Sequence, residues 1–262
     1  MIIAQITDTH IRRKGKLLHH MVNPGKRLRR AVERLCEMEP RPDVVLATGD
    51  LTESGKRREY KRLRDLLAPL QMPLYVIPGN HDRREPMREA FADQWYLPAY
   101  GPLHYVIEEH PIRLIGLDTM NDGEAGGVLD AERLEWLDAK LALAPKRPTL
   151  IFMHHPPFRT GIKALDALGF RGLSELGEIV ARNPQVERIV CGHIHRAIEM
   201  RFAGTTVCTA LSTAHQFALE LRGKNPLGIV LQPPGFALHV WRDGELTTHH
   251  CLVEERASIS IQ

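Results

Sequence analysis

Six short segments of the chain carry side chains that bind transition metals or transfer protons. They are Asp8-Thr9-His10, Gly49-Asp50, Gly79-Asn80-His81-Asp82, His154-His155-Pro156, Gly192-His193-Ile194-His195 and Ser212-Thr213-Ala214-His215-Gln216. Imidazoles combined with carboxylates suit Zn, Fe, Mn or Co. The acidic side chains are too few for a calcium cage, and no cysteines cluster as they do at structural zinc sites. The segments therefore predict a catalytic metal centre that folding must assemble from distant parts of the chain.

The stretches that precede these motifs have the composition of β-strands. Short β-rich stretches at 2–6, 44–47, 74–77, 112–117, 150–153 and 189–191 alternate with stretches of helical periodicity, which is typical of βαβ units. Later strands are predicted at 206–209, 237–241 and 246–249, in an order that favours antiparallel pairing. Five of the six motifs begin just after a predicted strand. Because open α/β sheets place their ligand sites at the carboxyl ends of strands, the sequence predicts one composite site.

Residue types within the motifs suggest individual roles. Alternation along an extended chain would let Asp8 and His10 point to the same side. Asp50 follows a nearly all-apolar run, where burying an unpaired carboxylate is costly; sharing that carboxylate between two metal ions would remove the cost. His81 is a candidate for proton transfer, and Asp82 could hold its ring in one tautomer.

The other histidines receive a different interpretation. His155 is interpreted as structural, because adjacent residues of a strand face opposite ways. His215 is left open between an ordinary loop residue and a substrate contact. The rest are interpreted as surface or core residues, namely His19, His20, His104, His110, His239, His249 and His250.

Length and charge place further limits on the molecule. The 262 residues fit one large domain, predicted over 1–250 with a tail at 251–262. The net charge of +3 requires neither a stable nucleic acid partner nor a membrane. Basic side chains are concentrated in segments 12–30 and 56–64. These segments are either solvated faces of helices and loops or a positive rim that attracts phosphate-bearing substrates.

Cysteine spacing and the N-terminus bear on the cellular compartment. Four cysteines lie far apart without a CxxC pair, which favours free thiols and a reducing compartment. The N-terminus lacks the basic, apolar and small-residue pattern of a signal peptide, and no apolar run could span a bilayer. We expect a cytoplasmic protein.

Taken in order, the motifs D-x-H, G-D, G-N-H-D, H and G-H-x-H resemble the signature of the calcineurin-like metallophosphoesterase superfamily, over residues 2–195. Within it, the chain resembles bacterial class III cyclic-nucleotide phosphodiesterases and the related glycerophosphodiesterases, on segments 6–10, 77–82, 153–157 and 212–216. The resemblance implies an α/β fold, a four-layer αββα sandwich with mixed β-sheets. It also implies two divalent or trivalent metal ions at the rim, with iron, manganese, zinc and cobalt all possible.

The same resemblance implies a ligand set and substrate contacts. The first metal would be held by Asp8, His10, Asp50 and His195, and the second by Asp50, Asn80, His154 and His193. Asp50 would therefore bridge the two ions. His81 would contact the phosphate and protonate the leaving group, with Asn80 and His215 as further substrate contacts.

The favoured function is hydrolysis of small phosphodiesters, either 3′,5′-cyclic nucleotides such as cyclic AMP or glycerophosphodiesters, by attack of a metal-bound hydroxide. Alternatives within the same chemistry are a phosphomonoesterase, a nuclease and a lipid-linked pyrophosphate hydrolase. The basic segments lack the interleaved aromatics that stack bases. A non-catalytic scaffold is disfavoured because the ligand set is complete. Segments 156–172 and 211–234 are candidates for a lid over the site or for the interface of a homodimer or higher homo-oligomer.

Overall fold

The computed structural model describes residues 1–254, which form two facing β-sheets with helices on their outer sides. The strands of the two sheets are β1 (Ile2–Ile6), β2 (Val44–Thr48), β3 (Leu74–Ile77), β4 (Tyr105–Ile107), β5 (Arg113–Leu117), β7 (Thr149–Met153), β9 (Val186–Cys191), β10 (Ile198–Phe202), β11 (Thr205–Thr209), β14 (Gly235–Arg242) and β15 (Glu245–Leu252). Short pairs are formed by β6 (Gly127–Val128) with β8 (Phe170–Arg171) and by β12 (Gln216–Phe217) with β13 (Ile229–Val230). The helices are α1 (Pro24–Glu37), α2 (Arg57–Leu67), α3 (Arg84–Ala90), α4 (Ala131–Ala142), α5 (Lys163–Asp166) and α6 (Leu173–Ala181).

Both large sheets are mixed. In the first, the strand order is β15-β14-β1-β2-β3, with β1, β2 and β3 parallel and β14 antiparallel to β1. In the second, the order is β10-β11-β9-β7-β5-β4, with parallel pairing from β11 to β5 and antiparallel strands at both edges. The sheets meet through contacts of β2 with β7 and of β3 with β5. Among the helices, α2 packs against both α1 and α3, and α4 packs against α6. The predicted αββα architecture with mixed sheets is confirmed.

The core lies between the sheets and beneath the helices. Strands β2, β5 and β7 are buried along their whole length, as expected of strands covered on both faces. Helix α1 turns Leu28, Val32 and Leu35 into the core. Its first turn begins at Pro24 and is capped by Asn23, whose side chain accepts a hydrogen bond from the backbone N–H of Lys26.

The elements anticipated from the sequence are present with small shifts of their ends. The stretch after β2 with helical periodicity repeats apolar residues at Tyr60, Leu63, Leu67 and Leu70, but helix α2 ends at Leu67, so Leu70 lies beyond it. Helix α3 and the edge strands β4 and β10 were not predicted. Strand β15 includes Cys251 and Leu252, which were assigned to the tail; residues 255–262 of that tail lie outside the described residues. No helix within residues 1–254 has the length and apolar character needed to cross a membrane.

Candidate metal centre

The metal-binding motifs meet at the carboxyl ends of β1, β2, β3, β7 and β9, as predicted. Five of the candidate ligands have a left-handed backbone, with φ of 51° at Asp8, 45° at His10, 49° at Asp50, 69° at His193 and 50° at His195. Such conformations cost roughly 1–3 kcal/mol each for non-glycine residues and concentrate at functional sites. Asp8 and His10 therefore reach the site through tight turns after β1, and the strand alternation invoked from the sequence is not the reason.

Two motif glycines allow the strand ends to approach one another. A Cβ atom at Gly192 would lie 2.0 Å from Oγ1 of Thr7, and one at Gly79 would lie 2.3 Å from the backbone N of Asp50. Side chains at either position would push the motifs apart. The glycines are thus part of the geometry that assembles the site.

One group of side chains forms around His195. Its Nε2 atom lies 3.2 Å from Nε2 of His10 and 3.3 Å from Oδ1 of Asp8. Oδ2 of Asp50 is 3.8 Å from Nε2 of His10. All four predicted ligands of the first metal therefore converge.

A second group forms on the other side of Asp50. Oδ2 of Asp50 lies 3.4 Å from Nε2 of His154, which is 3.2 Å from Oδ1 of Asn80. The ring centroid of His193 is 5.1 Å from that of His154. The same Oδ2 atom of Asp50 thus faces both groups, as a bridging carboxylate would.

The hydrogen bonds of three imidazoles, those of His154, His195 and His10, aim their other ring nitrogens inward. Nδ1 of His154 contacts the carbonyl oxygen of Thr48 at 2.8 Å, and Nδ1 of His195 contacts the carbonyl oxygen of His215 at 2.8 Å. Nδ1 of His10 contacts Oε2 of Glu53 at 2.9 Å. Since these oxygens accept, each Nδ1 donates a proton to its partner, and each Nε2 points into the centre, where it can bind a metal ion once it is unprotonated. The residues present therefore fit metal ions, which would also relieve the facing nitrogens of His10 and His195.

The buried carboxylates favour positive charge at the centre. Burial acts to raise the pKa of Asp8, but the charge of His195 and its hydrogen bond to Asp8 lower that pKa to about 2. Against the same effect of burial, the charge of His154 holds the pKa of Asp50 well below its ordinary value. Despite burial, Asp50 in turn raises the pKa of His154 to about 9. A proton on His154 thus balances the carboxylates when metal is not bound.

Glu53 is a residue that the sequence motifs do not reveal. Its carboxylate accepts the hydrogen bond from His10 and lies 3.7 Å from Nδ1 of His81. Although burial acts to raise it, the hydrogen bond with His10 lowers the pKa of Glu53. Carboxylates behind a metal-binding imidazole fix its orientation and raise its basicity. The signal in the sequence was only an acidic residue three positions after Asp50.

We therefore expect Glu53→Gln to weaken metal binding by about 10- to 100-fold, the usual effect of removing such a partner. The amide keeps the size of the side chain but loses the negative charge. Metal affinity would be measured by titrating chelator-treated protein. Glu135→Gln, at an exposed position of α4, is the control; equal affinity in the two variants would contradict this role of Glu53.

Asp82 has a different role from the predicted one. Its carboxylate accepts hydrogen bonds from the backbone N–H groups of Leu51, Thr52 and Gly79 and from the hydroxyl of Tyr60. The structure therefore corrects the expectation that Asp82 holds the ring of His81, because its acceptor atoms are used to brace the loops after β2 and β3. His81 is held instead by the carbonyl oxygen of Glu53, 3.0 Å from its Nδ1.

A cavity of about 200 Å³ opens over the two groups. Its wall includes the predicted substrate contacts Asn80, His81 and His215. Burial and the neighbouring His195 lower the pKa of His215 to about 2, so this ring is neutral. His19, which was interpreted as a surface or core residue, also lines the cavity and places its ring 5.1 Å from that of His215.

Both predicted lid segments contribute apolar side chains to this cavity. Leu165 and Leu168 come from 156–172, and Phe217 and Leu227 come from 211–234. The ring of Phe217 stacks on His195 at a centroid distance of 4.4 Å. Each segment therefore forms part of the apolar wall of the cavity.

The remaining histidines are placed as follows. His155 is buried, its Nδ1 contacts Oγ1 of Thr119 at 2.8 Å, and its ring lies 4.7 Å from that of His193. It therefore lies directly beside the metal-ligand candidates His154 and His193. His104 stacks on Trp136, and His239 is buried in a hydrogen-bond network with Gln5.

Comparisons with known proteins agree with this geometry. The family model for calcineurin-like phosphoesterases matches residues 1–197. A probable glycerophosphodiester phosphodiesterase of Arcobacter nitrofigilis is 39% identical over 251 residues, covering 95% of this chain and 92% of that protein. The 3′,5′-cyclic adenosine monophosphate phosphodiesterase of Escherichia coli is 32% identical over 255 residues, covering 97% of this chain and 90% of that protein.

Solved structures show the same fold. A dimetal phosphatase from Danio rerio superposes with a TM-score of 0.68 at 16% identity, covering 97% of both chains. A purple acid phosphatase from yellow lupin gives a TM-score of 0.70 at 14% identity, covering 97% of this chain and 51% of that one. The resemblance expected from the sequence motifs is confirmed.

Proposed function

Because the chain belongs to the calcineurin-like phosphoesterase family, we propose that it is a metal-dependent phosphodiesterase with a dimetal centre, acting on small phosphodiesters. The observation that carries the proposal is the position of Asp50, whose Oδ2 atom faces His10 on one side and His154 on the other. A carboxylate so placed serves two metal ions, and paired ions are suited to hydrolysing phosphate esters.

The ligand assignment follows the two groups. Asp8, His10, Asp50 and His195 would hold one ion, and Asp50, Asn80, His154 and His193 would hold the other. Imidazole, amide and carboxylate ligands in this mixture suit iron, manganese, zinc or cobalt. When bound, the two ions supply positive charge for the phosphoryl oxygens and a water of lowered pKa.

His81 acts on the leaving group. Its Nδ1 donates to the carbonyl oxygen of Glu53, so its Nε2 is the nitrogen available to the cavity. As the oxygen of water bonds to phosphorus, that water releases a proton to solvent, the ester bond to the leaving oxygen breaks, and protonated His81 gives the leaving oxygen a proton that solvent later restores. Neutral His215 and the amide of Asn80 are placed to contact the phosphate, and the apolar wall excludes bulk water from the reacting atoms.

The size of the cavity and the named relatives support small diesters. Relatives are named as glycerophosphodiester phosphodiesterases and as cyclic AMP phosphodiesterases, so both substrate classes belong to the proposal. A phosphomonoesterase or nuclease of the same family is the alternative. The complete ligand set argues against a non-catalytic scaffold.

The proposal is tested with a substrate panel on protein reconstituted with metal. We expect cyclic AMP, glycerophosphocholine or bis(p-nitrophenyl) phosphate to be hydrolysed with a kcat/KM at least about 10-fold above that of p-nitrophenyl phosphate, a difference of about 1.4 kcal/mol in transition-state stabilisation. Chelator-treated protein is the control and should be inactive on every substrate. A preference for the monoester would overturn the diesterase assignment.

Cytoplasmic location and homo-oligomerisation stay predictions. The four cysteines are free, in keeping with a reducing compartment. Leu219, Leu221 and Leu231 of segment 211–234 are exposed, and contiguous exposed apolar surface is typical of interfaces. The same segment therefore has an inner face over the cavity and an outer face that a second subunit could cover.

A further inference from the structure

A second cleft, of about 590 Å³, lies beside the metal centre and is lined by both basic segments. Its cationic side chains and one histidine are Arg12, Arg13, Lys16, His20, Lys56 and Arg58. They come from stretches about 40 residues apart in the sequence. We call this feature the basic cleft.

The loops after β1 and β2 run side by side, and this brings the two basic segments together. Ile11 and Thr52 form a parallel bridge. The N–H of Ile11 donates to the carbonyl oxygen of Leu51 at 3.0 Å, and the N–H of Glu53 donates to that of Ile11 at 3.1 Å. The pairing that brings His10 to Asp50 therefore also places the following residues of both loops around one cleft.

The basic cleft adjoins the cavity over the metal centre. His19 and Glu53 line that cavity, while their neighbours in the chain, His20 and Ser54, line the basic cleft. Consecutive Cα atoms are about 3.8 Å apart. Two turns of backbone thus form a shared rim, and a ligand could extend from one space into the other.

The positive charge of the cleft is largely unbalanced. Within residues 1–254, the exposed side chains of Arg13, Lys16, Lys56 and Arg58 make no hydrogen bond or ion pair. The one acidic residue in the lining, Glu59, is buried and its Oε2 accepts from the backbone N–H groups of Ser54 and Lys56, at 3.0 and 3.4 Å.

Neighbouring basic residues outside the cleft behave differently. Arg57 pairs with Glu89, and Arg64 pairs with Asp93. Four unpaired cations around one concave surface repel one another, and they create a positive potential that an anion would relieve. The cleft therefore combines three properties of an anion subsite: concavity, excess positive charge and access to the reacting centre.

We propose that the basic cleft binds a second phosphate group of the substrate, so that the enzyme prefers phosphodiesters carrying a further terminal phosphate. A phosphorylated dinucleotide has this chemistry. The inference rests on the proposed phosphodiesterase function and adds a substrate class to it. In the reaction, water adds to the phosphorus of the diester and the ester bond breaks, giving two products; the terminal phosphate is unchanged.

The test compares two variants that lose the same charge. Lys16→Ala/Lys56→Ala/Arg58→Ala removes three cations of the cleft. Lys146→Ala/Arg201→Ala/Arg242→Ala removes three exposed cations that lie outside both cavities. Substrates are a thymidine dinucleotide without a terminal phosphate and the same dinucleotide phosphorylated at its 5′ or 3′ end, with bis(p-nitrophenyl) phosphate as the reference diester.

We expect the wild-type protein to hydrolyse one phosphorylated dinucleotide with a kcat/KM at least about 10-fold above that of the unphosphorylated one. The cleft variant should lose this preference while keeping its activity on bis(p-nitrophenyl) phosphate, and the control variant should keep both. High salt should reduce the preference, because these charges are exposed.

The inference is overturned if the wild-type protein shows no preference, if it hydrolyses only bis(p-nitrophenyl) phosphate, or if the two triple variants behave alike. In each of these outcomes the proposed phosphodiesterase function still stands. Absence of hydrolysis of every diester, including bis(p-nitrophenyl) phosphate, would instead defeat the proposed function itself.

Discussion

Replacing Asp50 by asparagine is expected to lower kcat/KM for phosphodiester hydrolysis by about 10³-fold or more. Oδ2 of Asp50 faces both imidazole groups, and Oδ1 accepts a hydrogen bond from the backbone N–H of His81 at 2.8 Å. The asparagine keeps the shape but removes the charge shared by two ions. Metal ions contribute several kcal/mol of transition-state stabilisation, and about 4 kcal/mol corresponds to a factor of 10³.

Metal content and rate should be measured together on the variant after reconstitution. We expect loss of at least one ion per chain along with the rate. Asp138→Asn, at a half-buried position paired with Arg182 and distant in sequence from the motifs, is the matched control and should retain both. An Asp50→Asn protein with two ions and full activity would show that the bridging assignment is wrong.

The same variant has a readout that requires no turnover. In the metal-free protein, the pKa of His154 is raised from 6.5 to about 9, mainly by Asp50 acting against burial. Its contribution to stability is fully present below pH 6.5 and is lost as the pH rises through about 9, because the native state keeps a proton that the unfolded state has released. We expect the free energy of unfolding of the wild-type protein to fall over this interval, and the fall to be smaller in Asp50→Asn. Urea denaturation at several pH values, on chelator-treated wild-type protein and chelator-treated Asp50→Asn, measures how far the free energy of unfolding falls in each.

Much of the site could be predicted from the sequence because strand ends are visible in it. Apolar β-rich runs mark the ends of β1, β2 and β3, and parallel pairing brings such ends to one edge of a sheet. A histidine or carboxylate just after each run must therefore lie near the others. Asp8, Asp50 and Asn80 each follow such a run, so their proximity is predictable from the sequence alone.

Other features depend on tertiary contacts that no local pattern encodes. Glu53 supports His10 only because the two loops pair through Ile11 and Thr52. Asp82 stands next to His81 in the sequence, yet its carboxylate turns toward backbone N–H groups of the β2 loop. Adjacency in sequence suggested the wrong partner, since a buried carboxylate takes whichever donors the fold offers.

Replacing His81 by alanine is expected to reduce hydrolysis in proportion to how much the leaving group needs a proton. For cyclic AMP or glycerophosphocholine, whose leaving groups are alkoxides, kcat/KM should fall by about 10²- to 10⁴-fold, the range of general acid catalysis. For bis(p-nitrophenyl) phosphate the fall should be much smaller, because p-nitrophenolate leaves as a stable anion. Steady-state kinetics on both substrate types with one enzyme preparation measure the difference.

The comparison between leaving groups separates proton transfer from binding. If His81 only held the phosphate, both substrate types would lose the same factor, since both place a phosphate at the centre; equal losses would therefore contradict its role as the acid. His249→Ala, at an exposed position of β15, controls for loss of an imidazole elsewhere and should leave both rates unchanged. Nδ1 of His81 is held by the carbonyl oxygen of Glu53, so Nε2 is the ring nitrogen that would supply the proton. The amide of His81→Gln cannot supply a proton at that position, and this variant should therefore show the same dependence on the leaving group as His81→Ala.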